Sequence, residues 1–189
     1  MKIALIASLF VILSFESCNQ GSNRFSKGLN DNDTIGLIAQ NTAQVSHAKV
    51  NPINLTTPNG DSIGIQKLLS KKNKIFLFIT EHCCQECVHK EFKRLNKLVT
   101  SENNRNIIIL MSYSYLREQY AFILFYELKC QVFSIFGKQL ISQGTLLNLP
   151  LYFILDDSLQ IRQPFYITNE TSDKVIDNFV QNALTSNIY

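Results

Sequence analysis

The sequence predicts an α/β protein with a mixed β-sheet that is covered by helices on both faces. Two continuous apolar runs, residues 75–79 and 107–111, have strand length and are typical of central strands buried on both sides. Residues 88–99 repeat their apolar side chains at helical spacing, which predicts an amphipathic helix between those strands. Two further strand patterns and a last helix follow, so the alternation ends in a hairpin, which favours a mixed sheet.

The remaining elements follow from local patterns. Turn residues at Pro58-Asn59-Gly60 separate a short strand at 54–57 from a strand end and short helix within 62–71. Residues 115–128 predict a second helix and residues 131–135 a third strand. Strands at 149–155 and 160–167 form a hairpin around Asp156 and Asp157, which are interpreted as turn residues. Residues 172–185 predict the closing helix, with Ser172 as a possible cap.

Inward-facing positions can be assigned on the two later helices from their apolar spacing. In the helix at 115–128 the predicted inner residues are Leu116, Tyr120, Ile123, Leu124 and Leu128. In the closing helix they are Val175, Phe179, Val180 and Ala183.

The first residues predict export. Lys2 precedes an apolar run of about a dozen residues, which fits a secretory signal better than a membrane span of about 20 residues. The segment Phe15-Glu16-Ser17-Cys18 resembles a bacterial lipobox, which implies that Cys18 is acylated and becomes the first mature residue. An ordinary signal peptide with an incidental cysteine is the alternative. The expected organisation is a signal peptide at 1–17, a lipidated Cys18 with a flexible polar tether at 18–48, and a folded domain at 49–189.

Composition excludes several other classes of protein. The net charge is +3, and the densest basic run, Lys71-Lys72-Asn73-Lys74, is interpreted as a solvated turn, so no nucleic-acid partner is predicted. The chain has five cysteines, three of which, Cys83, Cys84 and Cys87, lie within five residues. That clustering predicts a reactive or metal-binding site and not a disulfide framework. The fifth, Cys130, is interpreted as a small core residue.

The cysteine cluster and its surroundings resemble the thioredoxin superfamily, and more narrowly the exported TlpA/ResA-type thiol–disulfide oxidoreductases. An apolar strand runs into Cys84-Gln85-Glu86-Cys87 and an amphipathic helix, Leu149-Pro150 precedes a later strand, and a hairpin and helix close the chain. The resemblance covers about residues 50–187 and implies a thioredoxin-like fold. It also implies that Pro150 occupies the family's cis-proline position against the disulfide. The usual Trp before the first cysteine is absent, Glu86 replaces a neutral residue, and Cys83 is an additional thiol.

Disulfide exchange needs an attacking thiolate and a second thiol that resolves the mixed disulfide. A helix amino terminus stabilises a thiolate, so Cys84 is the predicted attacker and Cys87 the predicted resolving thiol. Glu86 is expected to raise the pKa of the attacking thiol and His82 to lower it, which predicts a moderately reducing pair. As an alternative, Cys84 and Cys87 form a purely structural disulfide, and His82 is only a surface residue next to the site. Cys83 is either a thiol without a role, an alternative attacker or a metal ligand.

The sequence is also compatible with two other functions. His82-Cys83 and Cys87 resemble the His-Cys-x3-Cys segment of Sco-type copper chaperones, although no His follows His89. A lipoprotein that keeps the fold as a non-catalytic interaction module is the other alternative.

The oxidoreductase hypothesis predicts its own partners and location. It needs no cofactor and no resident metal. The resemblance implies exported proteins with thiols or disulfides as substrates, a membrane thiol transporter as electron donor, and an anchor in the lipid membrane through Cys18. The expected location is the bacterial cell envelope, facing the periplasm. Asn19, rather than Asp, follows Cys18, which favours the outer membrane.

Overall fold

The computed structural model describes residues 31–69, 74–99, 105–135, 140–141 and 146–185, with the backbone alone at 31–33. Contacts divide the chain into two compact units, Met1–Leu37 and Ile38–Tyr189, and the second contains the whole β-sheet. The predicted signal peptide and Cys18 lie outside the described residues.

The sheet has seven strands in the spatial order β2-β1-β5-β4-β3-β6-β7. The strands are β1 (Asn54–Thr56), β2 (Ser62–Gly64), β3 (Ile75–Thr80), β4 (Ile107–Ser112), β5 (Gln131–Ser134), β6 (Leu151–Leu155) and β7 (Ile161–Tyr166). The central strands β3, β4 and β5 are parallel, and the strands outside them are antiparallel to their neighbours. The predicted mixed sheet is therefore confirmed.

The two faces of the sheet bury separate apolar clusters, because successive side chains of a strand point to opposite faces. On one face, Phe76 and Phe78 of β3 pack in a cluster that includes Val45. On the other face, Ile75, Leu77 and Ile79 pack in a cluster with side chains of α2 (Gln85–Leu98) and α4 (Asp173–Thr185). A short 3₁₀ helix, Ile65–Leu68, adds to the first cluster. Both faces are covered, as the sequence predicts.

Helix α1 (Asp31–Val45) occupies the second half of the segment that was expected to be a flexible tether. Within the second unit, Val45 is 2% exposed and the Tyr166 hydroxyl donates to Asn41 Oδ1 at 2.5 Å. This part of the chain is therefore not a flexible tether, because a small number of buried side chains anchors it although the stretch is mostly polar. The second of the two units begins at Ile38, eleven residues before the predicted domain boundary at 49.

Two predicted inner surfaces are wrong in part. In α3 (Leu116–Tyr126), Leu116, Tyr120 and Leu124 are 43%, 40% and 74% exposed. The predicted Ile123 and Leu128 do pack against the core, and Phe122 and Tyr126 join them. The apolar residues of the helix surround its axis, so they give no clear periodicity. In α4, Val175 is 50% exposed, and its neighbour Ile176 is buried in its place.

Strand β7 is the last strand of the sheet on one side, and its hydrogen-bonding pattern is interrupted. The pairing of β6 with β7 shifts register between Tyr152 and Ile154. Opposite this irregularity, Gln163 has a φ of 50°, and Pro164, which follows it, has no N–H to donate. On the opposite side the sheet ends in β2, which is three residues long.

Candidate active site

Strand directions bring three chain segments to one end of the sheet. Strands β3 and β7 are both antiparallel to β6, so they run in the same direction and end at the same edge. The turn after β3 carries the cysteine cluster, and the loop after β7 carries Asn169. Strand β6 starts at this edge, directly after Pro150. Residues distant in the sequence thus meet around the cysteines.

The turn between β3 and α2 is held at both its ends. The Cys83 N–H donates to the Thr80 carbonyl at 3.1 Å, and the Thr80 N–H donates to Cys83 Sγ at 3.3 Å. The Ser114 N–H and hydroxyl, beyond the end of β4, donate to the Glu81 carboxylate at 2.8 and 2.6 Å. These bonds lower the pKa of Glu81 below its ordinary value. The residues just before Cys84 are therefore fixed to the end of the neighbouring strand β4.

Cys84 and Cys87 form a disulfide across the first turn of α2, with their Cα atoms 5.3 Å apart. Cys84 is the N-cap of the helix, and its Sγ accepts the Cys87 N–H at 3.2 Å. A sulfur at this position receives one of the unpaired N–H groups of the helix start, which favours the thiolate when the pair is reduced. Cys84 is half-buried, whereas Cys87 is 2% exposed. Of the two cysteines, Cys84 is therefore the one that is open to solvent.

Cys83 is a free thiol with a different environment from its neighbour. Its side chain is 6% exposed, and with Tyr113 and Phe122 it lines a cavity of about 210 Å³. Burial raises its pKa above the ordinary value, and the contacts from Thr80 offset only part of that rise. Because a protonated, buried thiol is a poor nucleophile, the geometry favours Cys84 as the attacking residue.

The other predicted site residues lie in less direct positions. His82 is exposed, and its Nε2 lies 3.6 Å from Glu81 Oε1. Glu86 is exposed in the first turn of α2. Pro150 is buried, and its carbonyl accepts the Ile167 N–H at 2.9 Å. No cis peptide bond occurs among the described residues, so the Leu149–Pro150 bond is trans, in contrast to the cis bond that the resemblance implies.

Asn169 is a site residue that the sequence analysis did not identify. Its Oδ1 lies 2.9 Å from Cys87 Sγ and 3.5 Å from Cys84 Sγ. A signal for it existed in the predicted topology. Since the return strand of the hairpin runs parallel to the strand before the cysteines, the first polar residues after that strand arrive at the same edge as the cysteine turn. A single asparagine in a polar loop gives no such signal by its identity alone.

The metal-binding alternative needs several donor side chains in one place. In the part of the chain that the structure describes, no three His, Cys, Asp or Glu side chains stand close enough together to hold a metal ion. Of the side chains expected to bind copper, His82 lies against Glu81 and Cys83 is enclosed beside Thr80. Among the same residues, no helix has both the length and the apolar character needed to cross a membrane.

Solved structures with the same architecture identify the fold. BsSco, a member of the Sco family of cytochrome c oxidase assembly proteins, superposes with a TM-score of 0.51, at 14% identity over 74% of this chain and 95% of that one. A secreted Mycobacterium tuberculosis disulfide oxidoreductase homologous to E. coli DsbE gives 0.51, at 12% identity over 69% and 95%. The fold is thioredoxin-like.

A third thioredoxin-like structure, from Bacteroides thetaiotaomicron and proposed to be a protein disulfide isomerase, gives a TM-score of 0.53. It is 14% identical over 75% of this chain and 91% of its own. No protein-family model and no curated protein sequence matches the chain. At these identities the likeness shows the fold and not the chemistry of the protein.

Proposed function

We propose that the protein is a thiol–disulfide oxidoreductase of the bacterial cell envelope that reduces or isomerises disulfides in exported proteins. One observation carries this proposal: Cys84 and Cys87 are paired at the start of α2, with the accessible sulfur accepting a helix N–H and the other sulfur buried behind it. A purely structural disulfide does not need an accessible sulfur at a helix amino terminus.

The reaction proceeds in two exchanges. The Cys84 thiolate attacks one sulfur of a substrate disulfide, forms a mixed disulfide and releases the other substrate sulfur as a thiolate. That thiolate takes the proton of the Cys87 thiol. Cys87 then attacks Cys84 Sγ, closes the Cys84–Cys87 disulfide and releases the second substrate thiolate, which takes a proton from water. Two electrons pass to the substrate, and a membrane dithiol donor has to return them before the next cycle.

The proposed location rests on the first residues of the chain. The short apolar run and the lipobox-like segment ending in Cys18 support export followed by lipid anchoring. The structural likeness to a secreted disulfide oxidoreductase agrees with an envelope location. A lipid anchor keeps the domain beside a membrane thiol donor and raises their effective concentration for each other.

The test follows the pair across redox buffers. The full chain is equilibrated with glutathione at stepped potentials, and the Cys84–Cys87 peptide is identified by mass after alkylation of free thiols. We expect one disulfide to form at a defined, moderately reducing potential. Cys84→Ser should abolish both this disulfide and the reduction of a model protein with scrambled disulfides. Cys83→Ser is the matched control and should retain both.

Two results would contradict the proposal. If Cys83→Ser lost both the disulfide and turnover, Cys83 and not Cys84 would be the reacting thiol. A wild-type pair that never opens over the range of potentials would be a structural disulfide. Stoichiometric Cu(I) binding that needs both Cys83 and Cys87, without exchange activity, would support the copper alternative instead.

A further inference from the structure

The loop after β7 places an amide group directly against the sulfur pair. Asn169 Oδ1 lies 2.9 Å from Cys87 Sγ, which is closer than its 3.5 Å to Cys84 Sγ. Asn169 is separated from these cysteines by more than 80 residues, so its position follows from the fold and not from local sequence. Since the amide favours the buried sulfur over the accessible one, it acts on the two cysteines differently.

The loop that carries Asn169 is held on both sides. The Thr168 N–H donates to Thr171 Oγ1 at 3.0 Å, and the Thr171 N–H donates to the Thr168 carbonyl at 3.2 Å. Lys90 Nζ of α2 donates to the Thr171 carbonyl at 3.2 Å, which ties the loop to the helix of the cysteines. On the other side, the Ile167 N–H donates a hydrogen bond to the Pro150 carbonyl at 2.9 Å. These bonds hold the backbone on both sides of Asn169 in place.

The chemistry of this contact depends on the redox state. An amide oxygen accepts hydrogen bonds, and a thiol S–H can donate one, whereas a disulfide sulfur has no proton to give. The structure shows this contact with the pair closed as a disulfide, in which no such hydrogen bond can form. Once the pair is reduced, the Cys87 S–H can donate to Oδ1 across the same 2.9 Å. At the same time Cys84 Sγ accepts the Cys87 N–H, which favours a thiolate at Cys84. The two contacts assign the single proton of the reduced pair to Cys87.

We propose that Asn169 is a third active-site residue, which accepts the S–H of Cys87 and thereby stabilises the reduced pair relative to its disulfide. This inference rests on the redox function proposed above. It also gives Pro150 an indirect role, since the Pro150 carbonyl holds the strand end from which the Asn169 loop starts. During turnover the proton of the Cys87 thiol passes from Sγ to the departing substrate thiolate, which ends the hydrogen bond to Asn169 Oδ1. This bond is restored when the donor reduces the pair again.

The test compares two substitutions with opposite expected effects. Asn169→Ala removes the acceptor, so the equilibrium constant for closing the disulfide against glutathione should rise about threefold to tenfold, since a single hydrogen bond has a net value of that order. A tenfold change corresponds to a potential lower by about 30 mV. Asn169→Asp places a charged acceptor at the same site and should shift the constant in the other direction. Asn178→Ala, at an exposed position of α4, is the matched control and should equal the wild type.

The measurement uses the full chain in stepped glutathione buffers, with the Cys84–Cys87 peptide quantified by mass. Asn169 is exposed, so both variants are expected to fold, and their thermal unfolding is recorded alongside. If both variants stay within twofold of the wild type while its disulfide forms normally, the role of Asn169 is overturned and the proposed function stands. If the wild type forms no reversible disulfide, the proposed function fails and this inference fails with it.

Discussion

Cys83 and Cys84 are adjacent in the chain, yet their side chains differ in access to solvent and in their hydrogen-bonding partners. Cys84 caps a helix, whereas Cys83 turns inward against Thr80. Cys130 is buried as well, at 8% exposure, and burial raises the pKa of its thiol to about 12. Thiolates and not thiols react with alkylating reagents, so these environments predict an order of reactivity.

After reduction of the folded protein, we expect iodoacetamide at pH 8 to modify Cys84 first. Cys83 and Cys130 should remain unmodified until the protein is unfolded in urea. A raised pKa means that the thiolate fraction is small below it, so reactivity at Cys130 should appear only as the pH approaches 12. Peptide masses over a time course provide the measurement. Modification of Cys83 at the rate of Cys84 would contradict the assignment of the attacking residue.

Helix α2 is joined to β6 and α4 by a buried polar cluster, below the turn that carries the cysteines. Arg94 Nη2 donates to Glu91 Oε1 at 2.5 Å and to the Tyr152 hydroxyl at 3.1 Å. Its Nη1 donates to Asp177 of α4, and the Tyr152 hydroxyl donates to Glu91. Burial raises the pKa of Glu91, while the hydrogen bonds from Arg94 lower it again in part. Both charges are almost fully enclosed, so each depends on the other.

Arg94→Met should therefore destabilise the protein by about 3–5 kcal/mol, because it leaves the Glu91 carboxylate buried without its cation. The double variant Glu91→Leu with Arg94→Met should cost less than the sum of the two single changes, since it removes both charges together. Free energies of unfolding in urea provide the comparison.

Lys93→Met, on the exposed side of the same helix, is the control for this cluster and should change the stability by less than about 0.5 kcal/mol. An Arg94→Met variant as stable as this control would show that the cluster contributes nothing to holding the helices together.

The folded part of the molecule begins before the first strand. Val45 and Asn41 of α1 contact the core, and the His47 N–H donates to the Ile161 carbonyl at 2.8 Å. These contacts close the sheet face on which Phe76 and Phe78 lie. The segment 38–48 thus belongs to the folded domain by packing, although its composition resembles a linker.

A fragment starting at Ile38 should unfold with nearly the free energy of the full chain. A fragment starting at Lys49, the boundary that the composition predicts, should be less stable by about 2 kcal/mol or more, because burial of a single Val side chain already contributes about that amount. Urea denaturation of the two fragments measures the difference. Equal stability of both would mean that α1 is dispensable.

Across the whole chain, the elements with a strong period or a long apolar run were predictable. Three elements lie where the sequence predicts them: the strands around residues 75–79 and 107–111 and the helix after Cys84. A strand buried on both faces is a continuous apolar run, and a helix buried on one face has apolar residues at helical spacing. Helix α3 has apolar residues all around, so its inner face depends on tertiary packing that no period reveals. The position of Asn169 depends on strands β3 and β7 running in the same direction, so that the loops after them meet at one edge of the sheet. The trans bond at Pro150 is a property of the folded loop.

The interrupted strand β7 has a consequence for contacts between copies of the chain. An open sheet edge with a full row of N–H and carbonyl groups is a template on which another chain can add a strand, which leads to aggregation. Pro164 has no N–H to contribute to strand pairing, and the positive φ of Gln163 interrupts the extended course of the strand. At the opposite edge, β2 is too short to recruit a partner. Both edges of the sheet are thereby poor templates on which a second copy of the chain could add a strand.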